Sequence, residues 1–251
     1  MRNSIGNCVI AGMLTLSMGF TTATLLASNP PKEIFAPVER AFVPFGFDDN
    51  DNVEILLQGN FTDTCFRVGP TGYTVDKDKR HIMVWAKAYD YSQQEETYCL
   101  DVLTPFLLKI GVGILSEGTW QVDVVGSHIT QTLSITKSKT SSPDEFLYAP
   151  VTMASVKELA NGKQELTITG QFPRFVSGCM ILKEIREYRN PKDVIVILPI
   201  AEIIDDSQDP RCLQVKPSFE GKLEIEPMHG VGLLHIRVSN GNSQNLLVDF
   251  P

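Results

Sequence analysis

Asp48, Asp49, Asn50, Asp51 and Asn52 place five oxygen-bearing side chains in a row. Calcium takes six to eight oxygen ligands, and closely spaced carboxylates and amides supply them. Two readings are open for this stretch: a calcium site, or a polar turn that opens the strand after it. The four histidines, His81, His128, His229 and His235, are scattered. A zinc or copper site would need several to converge across loops. His235 falls on the polar side of an alternating strand, where water is its expected neighbour. Met228 and His229 with Cys212 would supply a blue-copper set only if the thiol were free, and Cys212 is expected to be oxidised. There is no Gly-x-Ser-x-Gly elbow, and Gly111-Val-Gly113 lacks the strand-to-helix context of a phosphate loop. The carboxylate pairs Glu95-Glu96 and Asp205-Asp206 sit in polar turns, not in a cleft that would separate their pKa values. The chain is therefore read as non-enzymatic, with no cofactor beyond the calcium option. Phe42, Phe45 and Phe47 crowd the stretch "AFVPFGFD". Such a surplus marks either an exposed aromatic surface for a partner or an edge that buries its rings in the core or between domains.

The elements that must hold these residues appear twice. "VEILLQGNF" at 53–61 returns as "QELTITGQF" at 164–172. "FAPVER" from Phe35 answers "YAPVTM" from Tyr148, "DYSQ" from Asp90 answers "DDSQ" from Asp205, and "CLDV" from Cys99 answers "CLQV" from Cys212. Gly118, Trp120, Val122 and Val124 align with Gly232, Leu234, Ile236 and Val238, and "TLSIT" with "LLVDF". Matches in one order at near-constant spacing imply two homologous domains. The boundaries are 28–137 and 146–251, with 138–145, polar and Ser/Pro-rich, as linker.

Period two dominates each copy, and turn clusters such as "DDNDN", "GPTG" and "SNGN" separate the runs. "VIVILPI" is continuous, as expected of a deeply buried strand. Helical periodicity is scarce, with 151–162 as its best candidate. About seven short strands per hundred residues predict a two-sheet sandwich in each copy. The glycine of Gly-x-Phe ends a strand where the chain bends or another backbone approaches. Duplication also chooses among the three pairings of four cysteines: Cys65 with Cys99 and Cys179 with Cys212, one bridge per domain. A four-thiolate metal site would need close pairs of the Cys-x-x-Cys kind, and the sequence has none.

The first residues give the compartment. Arg2 precedes an uncharged stretch over 8–27, and small residues lead into Pro30 and Pro31. That is the order of a secretory signal, cleaved after Ala23 or Ala27. The alternative is an uncleaved anchor, the one route to a membrane. An even cysteine set behind a signal fits a periplasmic or extracellular protein. The net charge of -8 and the lack of a basic run exclude nucleic acid as a partner.

On the paired cysteines and the Gly-x-Phe phrases, the chain resembles immunoglobulin-like sandwich modules of secreted proteins. Gly-x-Phe after an alternating strand is also similar to the start of transcription-factor-type immunoglobulin (IPT/TIG) domains. Residues 48–52 resemble the Asp-x-Asn-Asp-Asn calcium linker of cadherins. There are departures. Tyr98 stands one residue before Cys99, where the antibody pattern has a Tyr two before, and Trp85 lies between the cysteines of the first copy with Ile195 or Val196 thereabouts in the second. The resemblance implies an all-β fold of two tandem immunoglobulin-like sandwiches and a role in binding, adhesion or envelope structure. Its rivals are a carbohydrate-binding accessory module or secreted enzyme, with Phe42, Phe45, Tyr89 and Tyr91 as a candidate aromatic row, and a calcium-dependent adhesin.

Overall fold

The alternating runs become strands throughout a computed structural model that describes residues 30–94, 97–160, 162–174, 178–190, 193–206, 208–213 and 216–250. The leader segment, the Glu95-Glu96 pair and Ser207 lie outside the described residues. The first half runs β1 (Lys32–Phe35), β2 (Val38–Phe42), β3 (Phe47–Asp48), β4 (Val53–Phe61), β5 (Phe66–Asp76), β6 (His81–Asp90), β7 (Thr104–Gly113), β8 (Gly118–Val124) and β9 (Thr130–Thr136). The second runs β10 (Val151–Glu158), β11 (Gln164–Gln171), β12 (Cys179–Arg189), β13 (Val194–Ile204), a one-turn helix α1 (Pro210–Leu213), β14 (Ser218–Ile225), β15 (Gly230–Val238) and β16 (Asn242–Phe250). The helical candidate at 151–162 is corrected: it holds β10, because pairing with β11 turns Ala154 and Val156 onto the core at period two.

Each half is a two-sheet sandwich. In the first, β2-β4-β7 faces a larger sheet built on β5-β6-β8-β9; in the second, β10-β11-β14 faces β12-β13-β15-β16. The repeat is therefore real at the level of pairing. It includes a parallel pair in each larger sheet, β6 with β8 and β13 with β15. This order differs from the antibody sheet, in which strand C lies directly beside F. Here β6 and β13 stand between the strands in those two places. The buried tryptophan is also different: Trp120 on β8 is 1% exposed and donates to Ser116 O at 3.0 Å, while Trp85 on β6 is only partly covered.

The four sheets stack as layers, in the order larger sheet of the first half, its smaller sheet, larger sheet of the second half, its smaller sheet. Three apolar clusters fill the three gaps. The middle gap joins Phe42, Leu56 and Leu107 to Val194, Val196, Leu198, Ile200 and Leu233. That seam explains two sequence features. "VIVILPI" is apolar at both parities because Ile195 and Ile197 enter the second core while Val194, Val196 and Leu198 enter the seam. In the duplicated phrase, Leu56 of the first copy stands where Thr167 stands in the second, because only the first copy's β4 has a sheet on both faces. Each large side chain so buried contributes about 1.5–3 kcal/mol relative to exposure.

The Ala-Pro-Val corner moves the chain from one sheet to the other in both halves. Ala36 N donates to Ala86 O of the larger sheet at 2.9 Å, and after Pro37 the chain pairs with β4. Ala149 N donates to Pro199 O at 2.7 Å, and after Pro150 it pairs with β11. The proline carbonyl at each corner presses on the glycine of Gly-x-Phe. A Cβ at Gly59 would lie 2.1 Å from Pro37 O and 2.6 Å from the Phe106 ring, and one at Gly170 would lie 2.2 Å from Pro150 O and 2.6 Å from the Phe219 ring.

Cys65–Cys99 and Cys179–Cys212 are bonded, with Cα separations of 5.2 and 5.4 Å across 34 and 33 residues. Each ties the chain at the start of β5 or β12 to the crossover that leaves β6 or β13, at one end of its sandwich and not across mid-core. Cys65→Ala/Cys99→Ala is expected to lose about 2–4 kcal/mol of unfolding free energy, read by urea melts with and without reductant. Non-reducing peptide mapping should return these two pairs.

Candidate functional site in the seam between the sandwiches

The acidic stretch and the phenylalanine cluster meet at one edge of the seam. β3 is two residues long and pairs in parallel with the end of β9, which brings residues 48–52 against the chain that joins the halves. Asp49 Oδ1 accepts Ser138 N at 2.9 Å, and its other oxygen is paired with Lys137. That ammonium and the Ser138 donors hold the Asp49 carboxyl well below its usual range. Asn50 Nδ2 donates to Thr140 O at 2.9 Å and Ser142 O at 3.1 Å. Asp48 Oδ1 accepts Asn50 N at 3.1 Å, and Asp51 Oδ2 accepts Asp48 N at 3.0 Å. The turn is thus a clasp on residues 137–142. From the other side Asp144 accepts Asn240 N and Gly241 N, the left-handed turn between β15 and β16.

Asp51 and Arg237 form an ion pair at 3.4 Å with side chains 7% and 8% exposed. Arg237 also donates to Gly46 O and stands 5.0 Å from the Phe47 ring. Burial outweighs the nearby guanidinium and raises the Asp51 carboxyl to about 6. His235 Nδ1 lies 2.8 Å from Asn245 Oδ1, and burial lowers the imidazole to about 4. Glu54 bridges the halves, taking Lys109 at 3.0 Å and the Ser243 hydroxyl. Tyr148, 1% exposed, is pushed up to about 12 by burial. These groups surround a cavity of about 20 Å³, room for one water. A wider cleft of about 290 Å³ opens nearby, walled by Phe45, Phe146, Tyr188, Val196 and Leu198.

The placement of His235 in water is corrected. It is 1% exposed, because the second face of β15 is the seam. The sequence signal for this burial is the pair Val231 and Leu233, apolar residues on the same face of β15 as His235 and Arg237. Phe42 and Phe47 are buried and Phe45 half-buried. Phe42 packs in the seam with Phe45 against it, and Phe47 packs in the core of the first half, its ring 6.0 Å from that of His235. Tyr89 faces outward on the first larger sheet, so it does not form a row with Phe42. Asp48, Asp49 and Asp51 each accept hydrogen bonds as described, whereas Asn50 bonds through Nδ2 and its Oδ1 is buried without a hydrogen-bond partner. Among the described residues, three potential metal-ligand groups gather only at Asp63, Cys65 and Cys99, where the sulfurs are joined to each other.

A second feature escaped the sequence reading. Tyr98, Leu100, Val102 and Leu103 are 91%, 63%, 55% and 68% exposed on the β6–β7 crossover. The loop that carries them is fixed by Cys99 and by a reciprocal pair, Thr64 N to Leu100 O at 3.1 Å and Leu100 N to Thr64 Oγ1 at 2.9 Å. Its signal was the run of large apolar residues around Cys99, which resembles a strand when read without its neighbours.

No described helix is long and apolar enough to cross a membrane, and the two disulfides fit an oxidising compartment. No curated protein and no solved structure matches the chain. A family model described as the ORF11 beta-sandwich domain matches residues 55–135, most of the first half. With the all-β structure, that match supports a β-sandwich protein and no narrower family.

Proposed function

We propose that the chain is an exported, non-enzymatic binding protein of the cell envelope or its surroundings, with residues 1–27 as its export signal. The observation that carries this reading is the stapled loop at 97–103. Four large apolar side chains held in water by a disulfide and two hydrogen bonds to Thr64 cost solubility and add nothing to the core. Contiguous exposed apolar surface of this kind marks a contact site for another protein. The clasped seam supports the same reading, because it joins the sandwiches without a free linker and so presents the loop from a firm base.

The test is capture from solubilised envelope of the source cells, with wild type and with Leu100→Asp/Leu103→Asp. Wild type should retain proteins that the variant loses, while circular dichroism melts stay alike. Identical capture by both chains, or substrate turnover by the pure protein in a hydrolase panel, would overturn the reading.

A further inference from the structure

The outward face of the first larger sheet has a counterpart in the second half, and the two have different fates. Ladder registers set His81 against Gln121 and Met83 against Asp123, and correspondingly Val194 against Leu233 and Val196 against His235. The corner gives the same frame, with Phe35 opposite Lys87 and Tyr148 opposite Ile200. Met83 thus stands for Val196, Trp85 for Leu198 and Gln121 for Leu233. In the second half these positions are covered by the first half's β2-β4-β7 sheet. In the first half nothing described covers them. An uncovered face needs only polar residues, and the outward side of β11 and β14 shows this: Glu165, Thr167 and Thr169 beside Glu220 and Lys222, with Lys222 paired to Glu165 at 2.9 Å. Beside them β10 adds one large apolar side chain, Met153, whereas the first face carries a tryptophan as well as a methionine.

The tryptophan is laid down and supported. Gly72, opposite Trp85 in the ladder, has no side chain, and the indole occupies that space: a Cβ there would lie 2.4 Å from Trp85 Cζ2 and 2.6 Å from Cε2. Beside it, Met83 is 40% exposed. Next on the same face, Asp123 is the hub of a fixed polar network. It takes Thr130 Oγ1 at 2.7 Å, Gln121 Nε2 at 3.0 Å and His81 Nε2 at 2.7 Å. These side chains are part-exposed, so their remaining lone pairs and N–H groups face solvent. On this face Lys87 lies 3.7 Å from Glu33 and Lys79 3.3 Å from Asp76, while Arg67, opposite Tyr89, donates to Thr64 O and Phe66 O. Each of these cations is held by a neighbour, and no cluster of like charge is offered to an ionic partner. It offers a flat ring, a thioether and an ordered set of amide, carboxylate, hydroxyl and imidazole groups.

We propose that this face, centred on Trp85 and Asp123, binds a neutral oligosaccharide. A pyranose ring has an apolar C–H face and a rim of hydroxyls. The first lies on the indole and Met83, and the second exchanges hydrogen bonds with Asp123, Gln121 and Thr130, which are already held in place and lose little freedom on binding. The site goes beyond the stapled loop and shares no residue with it.

The chain has two tryptophans and Trp120 is buried, so a ligand-dependent fluorescence change reports on Trp85. Purified protein titrated with cellohexaose, xylohexaose, mannohexaose and chitohexaose should give a saturable change with at least one of them, confirmed by calorimetry. Trp85→Ala and Asp123→Ala should each weaken that binding about tenfold or more, and Trp85→Phe should stay within about threefold, all with melting curves near wild type. Leu100→Asp/Leu103→Asp should bind the sugar as wild type does, which keeps failure here separate from failure of the capture experiment. No saturable change with any of the four sugars, or undiminished binding by Trp85→Ala, overturns the proposal.

Discussion

Gly59→Ala is expected to lower the unfolding free energy by about 3 kcal/mol or more, and Gly170→Ala by a similar amount. The obstacle is a backbone oxygen, Pro37 O or Pro150 O, close to 2 Å from the added carbon. A flexible side chain could swing aside, but a corner carbonyl fixed by the Ala36–Ala86 and Ala149–Pro199 hydrogen bonds cannot move without loosening the sheet switch. The aromatic ring on the other side, Phe106 or Phe219, closes the second escape. Urea melts of the two single variants check this. Equal losses show that the two corners carry equal strain, and a loss below about 1 kcal/mol in either would mean that its corner can relax.

Arg237→Ala is expected to cost about 3–5 kcal/mol, since it leaves a buried carboxyl without its cation. The pH dependence around the same pair has a sign that can be worked out. Asp51 has a folded pKa raised to about 6, so it contributes stability that is full below its unfolded pKa and is lost as pH rises to 6. His235 has a folded pKa lowered to about 4, so the unfolded chain takes up a proton first as pH falls below 6.5, and stability is lost down to pH 4. Between pH 4 and 6 the two slopes oppose each other. Arg237, Asp48 and Glu145 on the Asp51 side, and Glu54, Arg237 and Lys109 on the His235 side, are the neighbouring charges that set the balance. Asp51→Asn should expose the histidine slope, with stability falling by about 3 kcal/mol from pH 6.5 to 4. His235→Gln should expose the opposite slope, with stability falling by about 3 kcal/mol from pH 4 to 6. Urea midpoints at half-unit pH steps distinguish the two.

The pairing of the cysteines and the two sandwiches were legible because duplication supplies an internal control: a residue that matters to the fold appears twice. Gly59 and Gly170 are the clearest case. What duplication hides is any feature in which the copies differ. The seam is such a feature, and its trace is the replacement of Thr167 by Leu56 and of Trp85 by Leu198 at equivalent places. Polar residues on β15 concealed it further, because His235 and Arg237 satisfy a solvent-facing pattern while sitting between two sheets. The alignment of Gly118 with Gly232 was off by two residues. Ladder register makes Gln121 the equivalent of Leu233, a fact of hydrogen bonding that period two alone cannot fix, since a shift of two keeps every side chain on its face.

The joint between the halves is made by unlike surfaces, the smaller sheet of one repeat against the larger sheet of the next. Such a joint does not close on itself, and identical units using it would add end to end without limit. The far face does not repeat the joint: Ser155, Thr167 and Glu220 stand where Phe42, Leu56 and Leu107 stand in the first half, and a polar outer face of this kind is what terminal repeats of solenoid proteins carry. A stack that can be lengthened by gene duplication needs a polar outer face on its last unit, and Thr167 on β11 is part of that face here.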